Sequence, residues 1–137
     1  MLKEFLFVYG TLRRGFSNPA RNVLEEHARW LSTAVMRGIL YEIYGYPGAV
    51  LSDDPEDLVT GDLYEVENPD FIFSVLDDYE ECNTNHQEPH EYRRKKLRVH
   101  HQNGDVTEAW VYLYEWDVSD KMRILSGDYL NYREGLN

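Results

Sequence analysis

The sequence predicts one α+β domain over residues 1–137, a small mixed, barrel-like β-sheet with short helices flanking it. Three observations lead there. Short runs rich in apolar, aromatic and β-branched residues recur along the chain and are punctuated by Gly, Pro and Asn turn signals. Only two stretches keep helical spacing. No repeat, low-complexity tract or Gly/Ser-rich linker divides the chain, and 137 residues with 42% hydrophobic content suit a single core.

Phe5-Leu6-Phe7-Val8-Tyr9 reads as a buried strand stopped by Gly10, and the loop Thr11-Leu12-Arg13-Arg14-Gly15 follows. Asn18-Pro19 opens a helix in which Val23, Leu24, His27 and Leu31 share a face. From Ala34 to Val50, Gly38, Gly45, Pro47 and Gly48 punctuate aromatic and β-branched residues, as short strands with tight turns require. Val59–Val66 is a further strand. Asn68-Pro69 starts the second helix, with Ile72, Val75, Leu76 and Tyr79 on one side and an end near Glu80 or Glu81. Tyr92–His100 and Val106–Tyr114 flank Gln102-Asn103-Gly104-Asp105, whose Asn-Gly pair favours a hairpin turn.

Charge and composition narrow the function classes. The chain carries 25 acidic against 14 basic residues, a formal net charge of −11, and such a field repels phosphate backbones and anionic lipid headgroups. Nucleic acid and membrane partners are therefore not expected. Arg93–Arg98 is a basic run, but on a strand its side chains alternate between faces, so pairing with nearby acids is expected instead. The single cysteine, Cys82, excludes an intramolecular disulfide and any cysteine-based zinc cluster, and its acidic neighbours oppose thiolate formation. His86 and His90 have the separation of helical metal ligands, yet Pro89 lies between them and no third ligand stands near, so no metal site is expected. The apolar run Phe5–Tyr9 is too short for a membrane span or a signal-peptide core, which points to a cytoplasmic location. Among the 11 tyrosines, Tyr41, Tyr44, Tyr46 and Tyr64 read as strand packing.

Four acids crowd the end of the second helix, and helical direction ranks them. From the centre of the face made by Ile72, Val75, Leu76 and Tyr79, Glu80 lies about 90° away, Asp78 about 110°, and Asp77 and Glu81 about 150–170°. Glu80 leans inward most, by a small margin over Asp78. A carboxylate at such an edge loses hydration, which raises its pKa and makes it a better proton acceptor near neutrality. At the end of the first strand, Tyr9-Gly10-Thr11-Leu12 leaves backbone amides and the Thr11 hydroxyl able to meet a carboxylate or an oxyanion.

Taken in order, these segments resemble the gamma-glutamylcyclotransferase-like family, which includes AIG2-like and gamma-glutamylamine cyclotransferase members. The elements that carry the resemblance begin with Val8-Tyr9-Gly10-Thr11-Leu12, Gly38-Ile39-Leu40-Tyr41-Glu42 and Tyr46-Pro47-Gly48-Ala49. They continue through Val59–Val66, Leu76-Asp77-Asp78-Tyr79-Glu80, Tyr92-Arg93-Arg94, Ala109-Trp110-Val111-Tyr112 and Ser126-Gly127-Asp128-Tyr129. The resemblance implies a small barrel flanked by helices and release of 5-oxoproline from a gamma-glutamyl compound. It further implies that Tyr9, Gly10, Thr11 and Leu12 form the substrate loop, that Glu80 is the catalytic acid/base, and that Tyr92 and Tyr114 line the pocket. Many relatives place Gly directly after that glutamate; here Glu81-Cys82 follows, and residues 83–91 form a long polar segment.

The implied reaction needs no cofactor, because one carboxylate can take a proton from the substrate amine and return it to the departing one. A small gamma-glutamyl compound is the expected partner. A catalytically silent binding module of the same fold is the competing expectation, and it has no need for a base at Glu80.

Overall fold

Five strands close into a mixed barrel in the computed structural model, which describes residues 3–10, 12–13, 19–80 and 89–134. Along the chain the elements are β1 (Glu4–Val8), α1 (Pro19–His27), β2 (Ala28–Glu42), β3 (Pro47–Leu51), β4 (Leu58–Val66), α2 (Pro69–Tyr79), β5 (Tyr92–His101), β6 (Val106–Tyr114), β7 (Met122–Arg123) and α3 (Tyr129–Glu134). The sheet runs β2-β4-β1-β6-β5 and closes through β2–β5 pairing at Ala34↔His101 and Val35↔His100. The β1–β6 pair is parallel and the other four are antiparallel. The described residues include no helix long and apolar enough to cross a membrane.

Alternation along the strands produces two apolar clusters, one on each side of the barrel wall. Phe7, Ala34, Met36, Val59, Leu63, Val99 and Val111 come from all five strands and fill the interior. Leu6, Val8, Tyr64, Val66 and Tyr112 point outward, where Leu24 of α1 and Ile72, Phe73 and Leu76 of α2 cover them. The second helix is thus held against the outside of the barrel by its own apolar stripe.

Two sequence expectations are corrected. Leu31 does not continue the first helix, which ends at His27; from Ala28 the chain is already paired with β4, Ala28↔Val66 through Arg37↔Leu58. Sheet pairing overrides a helical spacing that was only local. Nor do residues 34–42 break into short strands. They form the second half of the 15-residue β2, whose stretch Gly38–Glu42 leaves the barrel ladder to pair with β3. Gly38 is there because of close approach, since a Cβ would stand 2.7 Å from the Val50 carbonyl oxygen. The turn itself comes later, at Gly45, with φ at 77°.

Gly61 matters for the site because it fixes where β1 runs. A Cβ at this position would lie 2.4 Å from the Val8 carbonyl oxygen and 2.6 Å from the Phe7 ring. We expect Gly61→Ala to cost about 1–3 kcal/mol of stability through overpacking, read as a lower urea midpoint. An unchanged midpoint would mean that β1 can shift without penalty.

The basic run is met by acids, as expected from alternation. Arg94 forms a two-pronged pair with Asp77 of α2, at 2.9 and 3.2 Å, and stacks over Phe73 and Trp110. Lys96 approaches Glu4 and Arg93 approaches Glu115. The Arg94–Asp77 clamp, reinforced by the Tyr112 hydroxyl donating to Asp77 at 2.6 Å, sets the seating of α2 on the barrel.

Candidate active site

A cavity of about 360 Å³ opens where the end of β1 passes beneath the last turn of α2. Its walls bring together four of the sequence-predicted positions, Tyr9, Gly10, Leu12 and Tyr92, with the fifth, Glu80. Thr11 lies outside the described residues, as do Cys82 and His86. Tyr114 does not line the cavity. It packs edge-on against Tyr92, ring centroids 5.4 Å apart, and so supports the wall from behind.

Helix geometry explains why Glu80 faces in. The residues of α2 that are buried are Ile72, Phe73 and Leu76, while Tyr79 is 43% exposed. Measured from that buried face, Glu80 lies only about 35° from the centre, Asp77 about 95° and Asp78 about 165°. The small margin over Asp78 read from the sequence becomes a large one, because Phe73 rather than Tyr79 belongs to the buried stripe. Glu80 caps the helix at φ −85° and ψ 2°, and its N–H still donates to the Leu76 carbonyl at 2.8 Å. Of its neighbours, Asp77 is committed to Arg94 and Tyr112, and Asp78 is exposed.

Loss of hydration, and secondarily the negative charge of Glu91, push the Glu80 carboxyl up to about 8 from its ordinary value near 4.5. The residue keeps some solvent-facing surface, yet no described side chain donates a hydrogen bond to the carboxyl. At neutral pH it is a mostly protonated acid that ionises readily. That is the condition under which a carboxyl can both take and give a proton.

The tyrosines have a different part. The Tyr9 hydroxyl donates to the Tyr112 carbonyl at 2.6 Å and accepts from the Ala49 N–H at 3.1 Å. The Tyr92 hydroxyl donates to the Pro47 carbonyl at 2.6 Å. Burial pushes both phenols far up, with charges in the cavity acting in the same direction. They stay neutral, and their protons are already given to the backbone, so they shape the cavity and move no proton.

The loop after β1 is fixed by its own turn and by an interior charge. Arg13 N–H donates to the Gly10 carbonyl at 3.0 Å. Gly10 has no room for a side chain, since a Cβ would stand 2.8 Å from Pro47 on the facing wall. The Arg13 side chain, 6% exposed, pairs with Asp128 at 2.8 Å and lies 3.7 Å from Asp62 of β4. This ties the loop to the barrel and to the start of α3.

Three residues of the site have no clear signal in the sequence. Glu91 belongs to a polar segment without periodicity, Tyr46 reads as one strand tyrosine among several, and Arg13 as an ordinary loop cation. Tyr46 and Glu91 both line the cavity. Among the described residues no group of three His, Cys, Asp or Glu side chains is placed to hold a metal.

Comparison with known proteins gives a consistent result. The family model described as "Gamma-glutamyl cyclotransferase, AIG2-like" matches residues 6–131. A Methanocaldococcus jannaschii protein named "Putative gamma-glutamylcyclotransferase" is 32% identical over 136 residues, covering 95% of this chain and 98% of that protein. A mouse protein named gamma-glutamylaminecyclotransferase is 31% identical over 102 residues, covering 69% of this chain and 62% of its own length. The crystal structure of a mouse AIG2-like protein superimposes with a TM-score of 0.68 at 26% identity, covering 88% of this chain and 82% of that one.

Proposed function

The chain belongs to the AIG2-like gamma-glutamyl cyclotransferase family, and from that premise we propose that it cyclises a gamma-glutamyl compound to 5-oxoproline and a free amine, with Glu80 as acid/base. The observation that carries this reading is the Glu80 carboxyl itself, held in a cavity without a hydrogen-bond partner among the described side chains and pushed up to about 8. A group whose only task was to bind a cation would gain from staying ionised; one that must shuttle protons gains from a pKa near the working pH.

Ionised Glu80 takes a proton from the substrate α-ammonium, and the freed nitrogen attacks the γ-carbonyl carbon. The new C–N bond closes the five-membered ring. As the old amide C–N bond breaks, Glu80 returns the proton to the departing nitrogen. The ring nitrogen sheds its second proton and the released amine takes up one more, so charge balances overall. Proton transfer of this kind contributes typically about 10²–10⁴ in rate. Alignment adds to it, because nucleophile and carbonyl belong to one molecule whose glutamyl chain must be folded until they meet at about 3–3.5 Å. The amides around Gly10 and Leu12 are the groups assigned to hold the glutamyl carboxylate in that fold.

The test is release of 5-oxoproline from a panel of gamma-glutamyl amides. Binding of those amides with no 5-oxoproline formed would instead identify a silent binding module. The acid limb of kcat/KM supplies a second check. Since Glu80 must be ionised in the free enzyme, kcat/KM should rise with pH, reach half its plateau near pH 8 and level off above it. An acid limb ending below about pH 6 would remove Glu80 as the base.

A further inference from the structure

Burial divides the cavity into a floor and a mouth. Val8, Tyr9, Leu12, Tyr92 and Tyr112 are each 6% exposed or less. Tyr46 and Glu91 keep part of their surface in solvent, and Tyr79 is 43% exposed. A substrate held by its glutamyl end on the floor therefore presents its leaving group to Tyr46, Tyr79 and Glu91.

Glu91 has no part in the proton transfers, and its charge opposes the ionisation of Glu80. Yet it is fixed at both ends. Its carbonyl accepts the Glu115 N–H at 2.8 Å, and its Oε2 accepts the Tyr46 hydroxyl at 2.5 Å. Such a bond orders a carboxylate that would otherwise range through its rotamers. Among the described residues no Lys, Arg or His lines the cavity, so neither acid has a described cationic side chain beside it there. A positive charge on the ligand would complement them. Glu80 is assigned to the substrate's own ammonium, which leaves Glu91 for a charge on the departing amine. The faces of the Tyr46 and Tyr79 rings at the same mouth suit a cation.

We propose that Glu91, aimed by Tyr46, selects the leaving group, favouring γ-glutamyl amides whose departing amine carries a second ammonium, as in monoamides of aliphatic diamines, over those whose departing amine carries a carboxylate. This rests on the cyclotransferase reading above. It adds a determinant of specificity at the mouth of the same cavity.

The test uses γ-glutamyl amides of 1,4-diaminobutane, n-butylamine and 4-aminobutanoate, which share a four-carbon chain and differ in terminal charge. The parent enzyme should show kcat/KM in the order cationic, neutral, anionic. Glu91→Gln should lower the cationic-to-neutral ratio by about 10–100-fold, the worth of a hydrogen bond to a charged group, and raise the anionic-to-neutral ratio. Ratios are the readout because a change in Glu80 ionisation acts on all three substrates alike. Ratios unchanged by Glu91→Gln, or a parent enzyme that prefers the anionic amide, would overturn the proposal. If the parent enzyme turns over none of the three, the cyclotransferase reading fails separately. Calorimetric binding of the same compounds to Glu80→Gln, with and without Glu91→Gln, then decides the role of Glu91: a cationic preference that disappears with Glu91 supports it, and equal preferences in both variants overturn it.

Discussion

Glu80→Gln should lower the turnover of a γ-glutamyl amide by about 10²–10⁴, the usual worth of a positioned acid/base. The substitution keeps the size of a side chain that sits about 35° from the centre of the buried face of α2, so the cavity should keep its shape. Substrate affinity should change much less than turnover, since the glutamyl carboxylate is assigned to the loop around Gly10 and Leu12. Asp78→Asn is the matched control, an exposed acid two residues away on the same helix, and it should retain most activity. Stability gives an independent check. Glu80 in the folded chain titrates near 8 against an ordinary value near 4.5. The folded state therefore keeps a proton that the unfolded state releases as pH rises above about 4.5, so stability falls with rising pH until Glu80 is ionised in both states. Glu80→Gln removes that loss. The variant should gain stability relative to the parent between pH 6 and pH 9, and an inactive variant that is also less stable at pH 9 would point to a packing role instead.

Arg13→Met should lower the unfolding free energy by about 3 kcal/mol, because it leaves Asp62, 3% exposed, and the partly buried Asp128 without the guanidinium between them. Activity should fall too, since the same side chain ties the Gly10–Arg13 turn to β4 and α3. The comparison is Arg29→Met. Arg29 makes an ion pair of the same 2.8 Å length with Glu65, but its side chain is 68% exposed, and a solvated pair of that kind contributes little. Chemical denaturation of the two variants side by side separates burial from distance. Equal small losses would mean that solvent reaches Arg13 and that the loop is held by its backbone turn alone.

Local patterns recovered much of the architecture. β1, β4, β5 and β6 lie within a residue or so of the expected runs, and α2 ends at Tyr79 with Glu80 as its cap. β7 and α3 were not legible, since two and six residues are too short to establish a period. Leu31 was not legible as a strand residue because pairing with β4 overrides a local helical spacing, and the continuity of β2 was not legible because of a glycine. Nothing local distinguishes a turn glycine at Gly45 from a packing glycine at Gly38, where the neighbour that forbids a side chain belongs to another strand.

The site divides along the same line. Residues carried on one continuous element, Glu80 on the helix and Tyr9, Gly10 and Leu12 at the end of a strand, could be chosen from the sequence because helical direction and strand punctuation are local properties. What the sequence by itself determined was therefore the family, four of the five barrel strands and the acid that leans inward on its helix. Only the tertiary structure decided what surrounds that acid. Glu91 and Tyr46 are 45 residues apart, and Arg13 and Asp128 are 115 apart. Such pairs, and the loss of hydration that pushes Glu80 up, exist only once strands distant in sequence have closed into a barrel, because burial and charge act through space rather than along the chain.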